Sequence, residues 1–216
     1  MTTTVAARFL DLLHSDVAAW NDMRASGDSA WIGLVDIDLA GANLTGVNLS
    51  GVDLTGADLS GANLTDAALV GADLTSAELV GADLARANLT GVAAHDANFT
   101  GAYLTRACLR DADLTMTYLT STFLGGAGLG GADLSGAYMT GAYLADADLT
   151  GVILTGAYLG KANLTGARVD TANLDGADLT EIIMPDGTSY SDDRSSSLTA
   201  SAEVFGDRGN IVQFSD

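Results

Sequence analysis

From Leu34 to Met184 an apolar residue returns at every fifth position without a slip: Leu34, Leu39, Leu44, Leu49, Leu54 and onward, 31 such centres in all. Two positions before each centre stands a small or β-branched residue, such as Ala42, Val47, Val52 or Ala57, and two positions after it there is usually Gly. In extended backbone alternate side chains share a side, so the centre and the residue two before it face one way and the residue between them faces the other. One side of the chain is therefore continuously apolar. A unit of five is too short for a helix or a strand pair, and glycine at every fifth position would weaken a long helix. The pattern predicts short extended segments with a turn in every repeat.

The flanks follow other rules. Phe9, Leu13, Val17 and Trp20 have helical spacing, which predicts an amphipathic helix over residues 5–25 with Thr4 as its N-cap. It reads as a cap over the first coil, followed by Trp31; a partner-binding helix is the alternative. At the far end "IIMPDGTSY" stops the repeat, because Pro185 cannot continue a hydrogen-bonded ladder and Pro-Asp-Gly signals a turn. The tail, 191–216, opens with the linker-like "SDDRSSS". It ends in "AEVFGDRGNIVQF", readable as a hairpin over the last coil, a strand pairing with a second subunit, or a disordered segment. Three regions result: a helical cap over 1–31, the repeat over 32–184, and a turn and tail over 185–216.

The stretch "GANLTGVNLSGVDLTGADLSGANL" is similar to the A(N/D)LxG units of the pentapeptide-repeat family, and the similarity covers residues 32–184. The resemblance implies an all-β solenoid, a right-handed quadrilateral parallel β-helix. Four units make a coil, with the centre and minus-two side chains stacked inside. Thirty-one units then make just under eight coils, a rod about 37 Å long at a strand spacing of roughly 4.8 Å. Residues 20 apart stack vertically. The outward column of Asp38, Asp58, Glu78 and Asn98 continues as Tyr118, Tyr138, Tyr158 and Asp178, and the next column contains Tyr103, Phe123 and Tyr143. The six rings thus form two three-ring ladders on adjacent faces. They can staple neighbouring coils, as cross-strand aromatic pairs do, or form a contact surface larger than a monomer usually leaves open. A third column, Asp53, Asp73, Ala93, Asp113 and Asp133, is acidic and lies beside Asp38, Asp58 and Glu78. One coil is irregular inside: in "GVAAHDANF" the expected central Leu is Ala94, and the larger Phe99 that follows is expected to fill the space, leaving His95 on the surface.

Composition narrows the chemistry. A hydrophobic fraction of 48% lets 216 residues bury a core, and 28 acidic against 9 basic residues set a net charge of −19. That field opposes direct binding to nucleic acid or an anionic membrane. Within 32–184 there are 18 acidic and 5 basic residues, a net of −13, against about 22 charges on a duplex of the same length at one per 1.7 Å. Arg86 and Arg106, one above the other, and nearby Arg110 interrupt the negative surface. Cys108 is the single cysteine and cannot form an internal disulfide; His14 and His95 have no ligand cluster around them in sequence. No metal, cofactor or catalytic residues are expected, and enzymatic function finds no support. Asp11, Asp16 and Asp22 argue against a signal or membrane segment, so a cytoplasmic location is expected.

These features point first to a non-enzymatic interaction or scaffold protein that self-associates through its aromatic ladders as a homodimer. The resemblance supplies an alternative, an acidic mimic of duplex DNA that binds DNA gyrase or topoisomerase IV and protects against poisons such as quinolones. Against it, no loops project from the coil and no clearly hydrophobic C-terminal dimerisation helix is present. A third class, ice binding, is suggested by recurrent threonines, but the columns Thr55, Thr75, His95, Thr115 and Thr45, Thr65, Ala85, Thr105 are both interrupted.

Overall fold

The structure is a computed structural model that describes residues 2–26 and 33–190, with side chains from residue 9 onward. Trp31 and the tail 191–216 lie outside the described residues.

From residue 33 to 183 the chain winds through parallel bridges that join residues 20 apart: Asp38 to Asp58, Asp58 to Glu78, and so on to the last coil. Each repeat inside the stack makes four backbone bonds, one of them from the corner N–H to the carbonyl 19 residues on (Gly41 to Ser60, 2.8 Å). The N–H of a centre donates to the carbonyl 19 residues on (Leu39 to Asp58, 2.7 Å), and the N–H of an outward residue donates to the carbonyl 21 back (Asp58 to Ile37, 2.8 Å). Within the turn, the Ala42 N–H donates to the Leu39 carbonyl at 3.0 Å, and the second of the two residues between them, Gly41, takes φ 65°. Glycine occupies that corner without a Cβ clash. Where the corner is Asp36, Asp66, Asp96, Asp111 or Asp146, a residue type that tolerates the left-handed region stands in for it.

Where the residue just before a centre is Asn or Asp, it does a second job. Asp58 Oδ1 accepts from the Ser60 N–H at 2.9 Å, Asn63 Oδ1 from Thr65 at 3.0 Å, and Asp133 Oδ1 from Ser135 at 2.9 Å. This is an Asx turn, and it explains why Asn and Asp alternate freely at that position: both offer the same oxygen.

Four outward columns define four faces. The first carries Asp53, Asp73, Asp113 and Asp133; the second runs from Asp38 to Asp178; the third runs from Asn43 to Ile183; the fourth runs from Asn48 to Arg168. Inside, the centres and minus-two residues form one continuous core of Leu stacked with Ala and Val, nearly all fully buried. Ala94 and Phe99 are both fully buried. Two polar residues enter the core, Thr117 and Thr122, and each is satisfied: their hydroxyls donate to the carbonyls of Leu114 at 2.6 Å and Phe99 at 2.8 Å.

The ends of the ladder are closed by different devices. At the N-terminal end the single helix expected over 5–25 is instead two, α1 (Thr2–Ser15) and α2 (Val17–Ala25), and Thr4 lies inside α1 rather than capping it. The break has a local cause: Asp16 leaves helical geometry at ψ 77° and its carboxylate caps α2, accepting from the Ala19 N–H at 2.9 Å. The re-aimed α2 presents Trp20, Asn21 and Arg24 to the exposed edge of the fourth face. Trp20 Nε1 donates to the Asn48 carbonyl at 2.8 Å, Asn21 Oδ1 accepts from the Asn48 N–H at 2.8 Å, and Arg24 donates to the Ser50 carbonyl. One coil further up, the equivalent Ala68 N–H is taken by the Val47 carbonyl, so α2 side chains supply what a missing coil would. At the other end Pro185-Asp186-Gly187 reverses the chain, with Gly187 at φ 82° and Ile183 in an antiparallel bridge to Ser189 above the third face.

Candidate interaction surfaces

The two aromatic ladders are regular stacks. On the third face Tyr103, Phe123 and Tyr143 have centroids 4.9 Å apart with planes 4° from parallel. On the second face Tyr118, Tyr138 and Tyr158 are spaced at 5.0 and 5.1 Å. The spacing is the coil repeat itself, so the backbone ladder sets it. Tyr103, Tyr118, Tyr143 and Tyr158 remain 42–49% exposed, whereas Phe123 and Tyr138, each between two rings, are half-buried. Stacking hides the π faces and turns ring edges and hydroxyls outward, which favours a flat protein surface over a ligand that must stack face-on. Ile153, on the first face in the same coil as Tyr158, and Met116, at the corner below Gly136, are also exposed and widen the apolar area. The sequence reading missed both; their signal was apolar side chains at outward positions of the five-residue register.

The tyrosines have a backbone cost. None can form the Asx cap, so the turns after Tyr118, Tyr138 and Tyr158 lack the side-chain acceptor that Asn98 gives Thr100 at 3.1 Å in the coil below. Ring stacking takes the place of that bond.

The acidic columns lie where the register put them, Asp38, Asp58 and Glu78 on the second face and Asp53, Asp73, Asp113 and Asp133 on the first. Most of these carboxylates are half occupied by the fold. Asp53 and Asp113 each accept a backbone N–H and a threonine hydroxyl on one oxygen, and Glu78 accepts from Asn98 Nδ2 at 2.8 Å. The Ser60 backbone and hydroxyl hold the Asp58 carboxyl below the usual aspartate range. Basic residues other than Arg106 interrupt the surface in pairs with acids: Arg86 makes a bidentate bridge to Asp66 below it, at 2.7 Å for each bond, which lowers the Asp66 pKa. Arg110 and Arg168 approach Asp148 Oδ2 at 4.0 and 3.7 Å across a cleft of about 330 Å³ floored by Gly130 and Gly131. Asp148 is pulled below its ordinary pKa, first by the Thr150 hydroxyl, then by the Thr150 N–H and the two guanidiniums. Gly130 and Gly131 have no side chains to fill that cleft.

Other candidates carry little chemistry. Nδ1 of the exposed His95 sits 2.8 Å from the Thr115 hydroxyl. Threonine hydroxyls such as those of Thr45, Thr55 and Thr115 bond to the neighbouring Asn or Asp oxygen, which ties them to the turn rather than to a ligand. Among the described residues no group of three His, Cys, Asp or Glu is placed to hold a metal ion, and no helix is long and apolar enough to cross a membrane.

The family profile described as pentapeptide repeats, in eight copies, matches residues 34–69, 67–106, 77–115, 119–156 and 142–184. The chain belongs to the pentapeptide repeat family. Its members form right-handed quadrilateral β-helices, the architecture to which the 20-residue bridging period corresponds. Among solved pentapeptide repeat structures the chain is similar to HetL, involved in heterocyst differentiation regulation in the cyanobacterium Nostoc sp. strain PCC 7120. The identity is 29% over 79% of this chain and 97% of that one, with a TM-score of 0.36. It is similar to a trypsin-treated form of QnrB1, a plasmid-mediated fluoroquinolone resistance protein, at 21% identity over 68% and 77% of the two chains and a TM-score of 0.48. A further pentapeptide repeat protein from Nostoc PCC 7120 is 35% identical over 56% of this chain and 79% of its own, with a TM-score of 0.27. No curated protein matches the chain.

Proposed function

We propose that this pentapeptide repeat protein is a non-enzymatic interaction or scaffold protein of the cytoplasm that self-associates through its aromatic ladders. The observation that carries this reading is the block of six stacked rings on two adjoining faces, with four tyrosines more than two-fifths exposed. Elsewhere on these columns Asn and Asp cap their turns, so the tyrosines forgo a backbone bond for an exposed apolar surface. Light scattering over a concentration series tests it. The parent should gain mass with concentration, and a variant with all five ladder tyrosines changed to Asn should remain a folded monomer. A parent that stays monomeric throughout would refute the reading.

A second reading rests on the acidic first face and the lower second face. There Asp53, Asp73, Asp113 and Asp133, interrupted by Ala93, and Asp38, Asp58 and Glu78 form two neighbouring columns on a protein of charge −19, which favours a duplex mimic whose partner is a type II topoisomerase. Titration into a gyrase supercoiling assay, with and without a quinolone, decides it. Absence of both inhibition and drug protection would end that idea.

A further inference from the structure

The third face carries little charge, unlike the acidic first and second faces. Its outward column contains one acid, Asp83; the column beside it, from Thr45 to Thr165, is entirely Thr, Ala and Gly. Its two borders differ as well. The corner shared with the second face is mostly glycine up to Gly141, and the corner shared with the fourth face carries Asp66, Arg86, Arg106 and Asp146. Arg86 is already bridged to Asp66. Arg106 and Asp146, both exposed, make no ion pair or side-chain hydrogen bond among the described residues, and they flank the ladder three residues after Tyr103 and Tyr143.

The geometry points to one occupant for this face: a second copy of the chain, packed antiparallel about a twofold axis at Phe123. The inference rests on the self-association reading above and adds which face is used and in which direction. With 20 residues per coil, two residues on this face stand level across such an axis when their numbers sum to twice 123, that is 246. Tyr103 then meets Tyr143 of the second copy, Phe123 meets itself, and Asp83 meets Asn163, so no two acids of the column face each other. Rings 4.9 Å apart admit no third ring between them, so the two ladders meet edge to edge, Tyr hydroxyl against Tyr hydroxyl on either side of the phenylalanines. An axis across the rods also keeps each corner on its own side. Arg106 and the second copy's Asp146 sum to 252, six residues of twenty from level, which is about 1.5 Å at the coil spacing. Asp146 of the second copy falls between Arg86 and Arg106. Arg106 lies over Gly126 in the isolated rod, exposed and without an ion pair among the described residues, so its guanidinium is available to that carboxylate.

Packing the copies in the same direction loses these matches. Asp83 would then face Asp83, and the charged corner of each copy would face the glycine corner of the other. The second face is a poorer choice, because Asp38, Asp58 and Glu78 occupy its lower half.

Charge reversal tests the packing. Arg106→Asp and Asp146→Arg, each alone, should raise the dimer dissociation constant of the full chain about tenfold, and the two together should bring it back near the parent value. Both residue types already occupy left-handed corners here, as Asp66 and Arg86 do, and a circular-dichroism melt of each variant verifies folding. A distance measurement gives direction. Spin labels on Thr45→Cys, in a Cys108→Ser background, stand four coils below the axis and should lie about 38 Å apart in the dimer. A label separation under about 20 Å, or single reversals without effect on a parent that does dimerise, would overturn this packing and leave self-association standing; a parent monomeric at every concentration would overturn both.

Discussion

Changing Tyr118, Tyr138 and Tyr158 together to Asn should cost the rod very little stability while stripping the second face of its aromatic surface. Two stacked contacts, at 5.0 and 5.1 Å, are lost. Such pairs contribute about 1 kcal/mol each, a total loss of about 2 kcal/mol. Asparagine returns what tyrosine forgoes, an Asx acceptor for the N–H groups of Thr120, Thr140 and Gly160, in the geometry by which Asn98 already holds Thr100 at 3.1 Å. At about 0.5 kcal/mol for each solvent-facing cap, the three recover about 1.5 kcal/mol. The net loss of about 0.5 kcal/mol corresponds to a fall in Tm of about 1–2 °C for a chain of this size. The triple Ala variant loses the stacks and gains no cap, so its Tm should fall by about 4–8 °C. Scanning calorimetry on the two variants at low concentration, where association does not contribute, measures the gap directly. An Asn variant that melts as low as the Ala variant would refute the exchange of a cap for a stack and give the ladders a larger stapling role than the contacts imply.

Changing Asp53, Asp73, Asp113 and Asp133 to Asn should keep every turn cap and leave the Tm unchanged or raised, because the same oxygen remains and four like charges are removed; if the duplex-mimic reading holds, topoisomerase inhibition should weaken and its salt dependence flatten. Trp20→Ala should destabilise by about 3–5 kcal/mol, since it removes a fully buried ring and orphans the Asn48 carbonyl at the open edge, and hydrogen exchange should show the first coil losing protection before the aromatic coils do. Asp148 has a folded pKa below its ordinary value, so its contribution is complete above about pH 4 and is lost as pH falls through the lowered value. Melts of Asp148→Asn should accordingly show a smaller drop between pH 7 and strong acid than the parent; an equal drop would remove Asp148 from the acid sensitivity.

Much of the fold is legible because the repeat is short and its register never slips. A period of five with an alternating inside and outside gives one continuously apolar side from Leu34 to Met184 and a turn in every repeat, and the resemblance to the repeat family adds the four units per coil that put positions 20 apart in register. The aromatic and acidic columns could therefore be placed by number. The helical cap was read less well: Phe9, Leu13, Val17 and Trp20 fit one helix by spacing, and the choice of Asp16 over a continuous turn depends on where α2 must point to reach Asn48. Spacing along a chain contains no information about an edge that exists only after the coil has formed.

The amino-acid sequence determined the apolar side of each repeat and the turn in every repeat, because these follow from local periodicity; the resemblance to the repeat family, with its four units per coil, supplied the column in which each side chain stands. Only the tertiary structure decided how those columns are used. It showed that the Asn and Asp of the repeat are turn caps before they are surface charge, that Arg86 is taken by Asp66 while Arg106 is not, and that the rings stack closely enough to hide their faces and present their edges. The caps join residues two apart within one turn, whereas the Arg86–Asp66 bridge and the ring stacks depend on distances between residues 20 apart, which coil closure alone brings within reach.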